Sequence, residues 1–215
     1  SIWEAEYQQN PIELKGLLFP KSALKRFKLE DVKDRVPDGK IGATDVADEG
    51  DDYFSSPMGS VFGDQIFITN IVFTKDVIEI TAPRLAQEII DIGLDQMRVE
   101  SNNGGKSYAN EVRRLIKETD KFNKVTIQAR PTTSHKPTRI LMKSGWIKSH
   151  CHFLAESEYE KGSDYWWFIK WLTSYKKEGD NAHDDAPDSL TILAQLFESI
   201  KGNYKGQQQI GRAHV

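Results

Sequence analysis

The chain has 215 residues, 38% of them hydrophobic, enough to bury the core of one sizeable domain, and length gives no reason to demand two. A formal net charge of -3 and a pI near 6.0 carry no global signature of a nucleic-acid binder, although acidic residues gathered at a metal site would mask one. The single cysteine, Cys151, excludes an intrachain disulfide and fits a reducing compartment, and no apolar run approaches the roughly 18 residues of a membrane span. With no secretory signal at its start, the protein is expected to be soluble and cytoplasmic.

Residues 1–40 show weak periodicity and little apolar content, and read as an interdomain connection. The character changes at Ile41. Residues 41–47 form a short strand-like run, followed by a Gly- and Asp-rich loop through Tyr53. Residues 61–73 supply β-branched and aromatic side chains around Gly63-Asp64, the pattern of a hairpin. A helix is expected to start at Thr81-Ala82-Pro83, with Leu85, Ala86, Ile89 and Ile92 on its apolar stripe and Gly93 closing it. Residues 97–100 form a fourth strand, 106–118 a second helix with Val112, Leu115 and Ile116 inward, and 125–129 a fifth strand. Further helical segments cover 136–142, the tryptophan-rich 165–175 and about 186–200. Beyond Tyr204 the sequence is polar and aperiodic and reads as a disordered or appended tail. Strands alternate with helices, so the class is α/β with a mixed sheet.

Acidic residues recur where strands end or helices begin. Asp45 follows an apolar strand, which gives a carboxylate the rigid support that a metal ligand needs, and Gly50 would fold Asp51 back towards it. Asp45, Glu49 and Gly50 match three EF-hand positions, but Ala47 and Ser56 break that pattern and its flanks are β-like. Glu100 ends a strand before Gly104-Gly105-Lys106-Ser107, a context that imitates a phosphate-binding P-loop, except that Glu100 stands where the first glycine belongs. His183-Asp184-Asp185-Ala186-Pro187-Asp188 opens the last helix. Aspartates favour that position as caps, yet Asp185 and Asp188, three apart, share a face of the first turn. His150-Cys151-His152 lacks the partners for a zinc site, and Trp166, Trp167, Phe168 and Trp171 read as core or as a docking face. Lys136 and Arg139 could contact phosphates or form a solvated basic face.

Taken together, residues 42–52, 99–105, 136–140 and 183–190 resemble the nuclease domain of tailed-bacteriophage terminase large subunits, an RNase H-like, RuvC-like nuclease family. Trp3-Glu4-Ala5-Glu6-Tyr7-Gln8-Gln9 resembles the junction that follows the family's ATPase motor. The resemblance implies an RNase H-like fold, a central mixed sheet of five or more strands flanked by helices. It divides the chain into a connection at 1–35 from a motor domain absent here, a nuclease domain at 36–203 and a polar tail at 204–215. It implies a divalent-metal-dependent endonuclease that cuts concatemeric viral DNA during genome packaging, with two Mg2+ or Mn2+ ions. Asp45, Glu100 and Asp188 would be the principal ligands, Asp185 the neighbouring one and Asp51 a supporting one. The choice among Asp184, Asp185 and Asp188 stays open. Lys136, Arg139 and Lys106 would contact DNA. Implied partners are double-stranded DNA, the ATPase domain of the same polypeptide, the terminase small subunit and the portal protein, in the cytoplasm of the infected bacterium. A catalytically silent DNA- or portal-docking module and a degenerate P-loop NTPase are the rival readings.

Overall fold

A computed structural model describes the backbone of residues 16–46, 52–102 and 104–210 and their side chains up to residue 202. Seven strands form one mixed sheet: β1 (Lys25–Phe27), β2 (Gly39–Thr44), β3 (Phe54–Phe62), β4 (Gln65–Thr74), β5 (Gln96–Glu100), β6 (Thr126–Arg130) and β7 (Cys151–Leu154). Their spatial order is β1-β7-β4-β3-β2-β5-β6. β2, β3 and β4 form an antiparallel meander, while β5 and β6 continue parallel to β2, and β7 and β1 continue parallel to β4. Among the described residues five α-helices flank the sheet: α1 (Ile78–Ile92), α2 (Gly105–Thr119), α3 (Lys136–His150), α4 (Asp164–Ser174) and α5 (Asp185–Ile210).

Strand alternation divides the core in two. Met58, Val72, Met97 and Val99 pack with Leu85, Ile89, Val112 and Ile116 of α1 and α2 on one face. Ile41, Ala43, Ile66, Ile68 and Phe153 pack with Ile140, Ile147, Phe168, Leu172, Leu190 and Leu193 of α3, α4 and α5 on the other. β2 lies between β3 and β5, so its carboxyl end sits inside the sheet beside the end of β5. Parallel neighbours that end together bring their following side chains together. The site is placed by this arrangement.

Several elements differ from their expected bounds. α1 begins three residues before Thr81, which leaves Pro83 inside the helix, and Gly93 closes it in the left-handed conformation at φ 66°. β3 reaches back to Phe54 through Ser55, Ser56, Pro57 and Gly59, residues of low strand propensity that hide it, and it carries an irregularity between Met58 and Gly59. α3 runs on to His150, past the expected end at Met142. β7 is only four residues long, and its pairing with β1 and β4 is entirely nonlocal.

The termini need a larger correction. Residues 16–35, expected as part of a connection, contribute edge strand β1 and bury Leu18, Phe19, Leu24 and Phe27 in the α3–α5 side of the core. Leu17-Leu18-Phe19 is too short a run to show a periodicity, and Leu24 and Phe27 come singly among charges. At the other end α5 continues to Ile210 through most of the segment read as a tail. The resembling junction at residues 3–9 and residues 211–215 lie outside the described residues.

Phe27 is 5% exposed and packs edge-on against Phe67 with ring centroids 5.1 Å apart. Phe27→Ala is expected to destabilise the domain by about 3–5 kcal/mol in urea unfolding. A change below about 1 kcal/mol would place residues 16–35 outside the cooperative unit.

Candidate metal centre

Three elements meet at the carboxyl ends of β2 and β5. Asp45 follows β2 directly and is held by paired backbone hydrogen bonds with Ser55, Asp45 N to Ser55 O at 2.9 Å and Ser55 N to Asp45 O at 3.1 Å. Glu100 is the last residue of β5. Asp188 lies in the first turn of α5, whose start carries Asp185 and Asp188 where the helix dipole favours negative charge. Ser189 seats this turn on the sheet, its Oγ 2.8 Å from Ser55 Oγ, both buried. Asp45, Glu100 and Asp188 each present a carboxylate oxygen within 4.8 Å of the others, and all three are buried, Asp188 completely.

Gly105 explains part of the glycine run after Glu100. A Cβ at Gly105 would stand 1.8 Å from the Glu100 carbonyl oxygen, so only glycine lets α2 begin this close to the strand end. Glu100 itself turns into the acidic cluster. Gly104-Gly105 therefore serves a strand-to-helix turn, and a carboxylate occupies the space a phosphate cradle would need.

Asp185, also buried, accepts from Tyr53 N at 3.1 Å. Asp184 immediately precedes α5 and its Oδ1 lies 2.9 Å from Lys136 Nζ. Asp51 lies outside the described residues. Asp52 joins Asp45, Glu100, Asn102, Lys136, Arg139 and Asp185 around a cavity of about 210 Å³.

Lys136 and Arg139 were expected as phosphate contacts, and both sit inside this acidic cluster. Lys136 Nζ lies 3.2 Å from Asp45, 3.5 Å from Asp185 and 3.5 Å from Asp188, in addition to Asp184. Arg139 is 8% exposed. Its guanidinium grips Asp188 through Nε (2.7 Å) and Nη2, reaches Glu100 Oε1 at 3.2 Å and donates to the Ser134 carbonyl at 2.8 Å. Pro137 in the first turn of α3 starts the helix so that Lys136 and Arg139, three apart, project to the same side. Lys106, by contrast, is exposed in the first turn of α2.

The sequence gives no sign of Asn102 as a member. It donates to Glu100 Oε1 at 3.1 Å and to the Thr132 carbonyl at 2.7 Å, tying the carboxylate to the loop after β6. His183 is set edge-on against both Tyr53 and Trp171, with centroids 4.9 and 4.4 Å away, and so buttresses the entry to α5. His150 and His152 are separated by different duties. His150 stacks on Trp146, while His152 stacks on Phe67 and its Nε2 lies 2.8 Å from Gln65 Oε1.

Electrostatics follow from this crowding. Burial pushes the Asp45 carboxyl well above the ordinary range, the Lys136 charge opposes the shift, and Asp188, Glu100 and Asp185 add to it. Burial likewise raises Asp188 against the pull of Arg139 and Lys136, and raises Asp185 against Lys136 and the Tyr53 amide. Lys136 is held charged, since Asp45, Asp188 and Asp184 together outweigh the burial that disfavours an ammonium. Asp45 Oδ2 is buried, and the contact that faces it is the Lys136 ammonium at 3.2 Å. Three buried carboxylate oxygens within 4.8 Å of one another are the donor set of Mg2+ or Mn2+, so the residues present fit a divalent ion.

No protein-family model and no curated protein sequence matches the chain. Solved structures do. The chain is similar to the human cytomegalovirus terminase nuclease domain in a manganese-soaked, inhibitor-bound form, with TM-score 0.60 and 12% identity over 87% of this chain and 98% of that one. It is also similar to a variant nuclease domain of the large terminase subunit gp2 of bacterial virus Sf6 with manganese and beta-thujaplicinol, with TM-score 0.50 and 13% identity over 77% and 90%. The unsubstituted Sf6 domain matches with TM-score 0.50 and 14% identity over 73% and 88%. The chain has the fold of the terminase nuclease domains, an α/β fold of the RNase H-like class. The likeness is one of fold.

Two measurements probe the cluster. A carboxyl whose pKa is raised on folding contributes stability below its unfolded pKa, about 3.9 for Asp, and that contribution is lost as pH rises through the raised folded value. Metal-free Asp45→Asn is therefore expected to melt above wild type at neutral pH, with the difference vanishing towards pH 3. Arg139→Met leaves Asp188 buried without its main partner and is expected to cost about 3–5 kcal/mol in metal-free urea unfolding. Unchanged stability would mean that Lys136 alone balances the carboxylates.

Proposed function

We propose that the chain is a divalent-metal-dependent endodeoxyribonuclease that cleaves concatemeric viral DNA during genome packaging, by two-metal-ion phosphodiester hydrolysis. The observation that carries this reading is the buried convergence of Asp45, Glu100 and Asp188 from two adjoining strand ends and one helix start. Asp45, Glu100 and Asp188 would hold Mg2+ or Mn2+, with Asp185 as the neighbouring acidic group. When bound, such ions supply the Lewis acidity that lowers the pKa of water and stabilises the leaving 3' oxygen.

The chain's own residues prepare that chemistry. Arg139 fixes Asp188 and Glu100 at one separation, and Asn102 fixes the second Glu100 contact. Lys136 balances the repulsion among the carboxylates and is charged, so it can turn towards a phosphodiester once the carboxylates are neutralised by a cation. Phosphate contacts position without reading sequence, and weak sequence preference follows. In this reading the domain works beside an ATPase motor of the same polypeptide, with terminase small subunit and portal protein, in the infected bacterial cytoplasm.

Purified protein is expected to nick supercoiled plasmid with Mn2+ or Mg2+ and to be silent with chelator. Asp45→Ala and Glu100→Ala are expected to lower cutting by at least about 100-fold while circular dichroism stays native. Equal residual cutting by wild type and variants would assign the activity to a contaminant. A silent docking module predicts instead that calorimetry finds no Mn2+ uptake that depends on these carboxylates.

A further inference from the structure

Outside the acidic cleft, the face of β5 and β6 that looks towards α5 carries an unbalanced pair of cations. Met97 and Val99 are buried against α1 and α2, so alternation turns Gln96, Arg98 and Glu100 to the opposite face. β6 pairs in parallel with register Arg98↔Gln128 and Glu100↔Arg130. Arg130 therefore stands beside Glu100 and diagonal to Arg98 on the same face, within reach for two long side chains. Arg98 Nη2 donates to Ser199 Oγ of α5 at 3.3 Å, while its Nε is buried with no acceptor among the described residues. Arg130 is exposed on the edge strand and makes no ion pair among the described residues.

Two guanidiniums share this strip with no carboxylate joined to either. Lys136 and Arg139 differ, because carboxylates take up their charge. An anion between Arg98 and Arg130 would relieve their repulsion, and a guanidinium fork matches phosphate oxygens. Register places that anion one strand position from Glu100.

We propose that Arg98 and Arg130 form a clasp for a DNA phosphodiester flanking the one cleaved, which sets the register of the backbone over the acidic cleft. The identity of the ligand rests on the nuclease reading; the clasp itself rests on the paired guanidiniums. It binds through charge and geometry, so it acts without metal.

The test is fluorescence anisotropy of a labelled DNA duplex with the whole chain in chelator, over a series of salt concentrations, alongside Mn2+-dependent melting. Arg130→Glu, at an exposed edge position, is expected to weaken DNA binding by at least about tenfold near 0.1 M salt. The Arg98→Gln, Arg130→Gln double variant is expected to flatten the plot of log affinity against log salt by about 0.9, the value for one phosphate contact. Both variants should keep the wild-type Mn2+-dependent rise in melting temperature. Wild-type affinity and salt slope in Arg130→Glu would overturn the clasp while leaving the nuclease reading intact. Absence of DNA binding by the wild type at low salt would overturn it as well. Weakened DNA binding in the variants with no Mn2+-dependent melting shift in the wild type would support the clasp and remove the nuclease reading.

Discussion

Mutual repulsion of buried carboxylates is the constraint on which this structure turns. Asp45, Glu100, Asp185 and Asp188 are each at most 8% exposed and converge from two strand ends and one helix start. Burying one uncompensated carboxylate costs several kcal/mol, and neighbours of the same sign add to that. The cluster therefore exists because something else holds it. Paired backbone hydrogen bonds fix Asp45 to β3, β5 fixes Glu100, and the Ser55–Ser189 contact presses the first turn of α5 against the sheet. Arg139 and Lys136 then return part of the electrostatic cost. The fold supplies the rigidity and two cations reduce the strain. What remains is a cluster of carboxylate oxygens in a small cavity, a donor set that fits a hard cation.

This arrangement gives the two basic residues of α3 distinct tasks. Arg139 offers a planar fork, and its contacts to Asp188, Glu100 and the Ser134 carbonyl use it to fix distances. Lys136 offers a compact ammonium on a flexible stem and touches four carboxylates without a fixed partner. One sets geometry and the other balances charge. Spacing of three along a helix suffices to aim both into the same cleft.

Much of this was legible in the sequence, for local reasons. The acidic positions at strand ends, the hairpin at Gly63, the stop at Gly93 and the alternation of strands and helices are all written in short windows. Boundaries set by nonlocal pairing were not. β7 is short and gains its strand character only between β1 and β4, and β1 is anchored by single apolar residues among charges. Phe54 to Ser60 was hidden by serine, proline and glycine, which tolerate a strand here because both neighbours are present. The inward turn of Arg139 was equally hidden. A basic residue on a helix reads as solvated until the carboxylates that claim it are brought from 39 and 49 positions away.

The same limit applies to net charge. A formal value of -3 argues against a nucleic-acid surface only if charge is spread evenly, and here it is not. Carboxylates are concentrated in the cleft, where Lys136 and Arg139 are consumed internally. Alternation along β5 puts Arg98 and Glu100 on one face, so the cationic strip and the acidic cleft adjoin in space although neither dominates the total. A polyanion approaching this face would meet attraction next to repulsion. That pairing favours a backbone held at one point and presented at the next, with a cation required to bring it fully into the cleft. Binding and chemistry would then depend on different residues of the same strand, two positions apart.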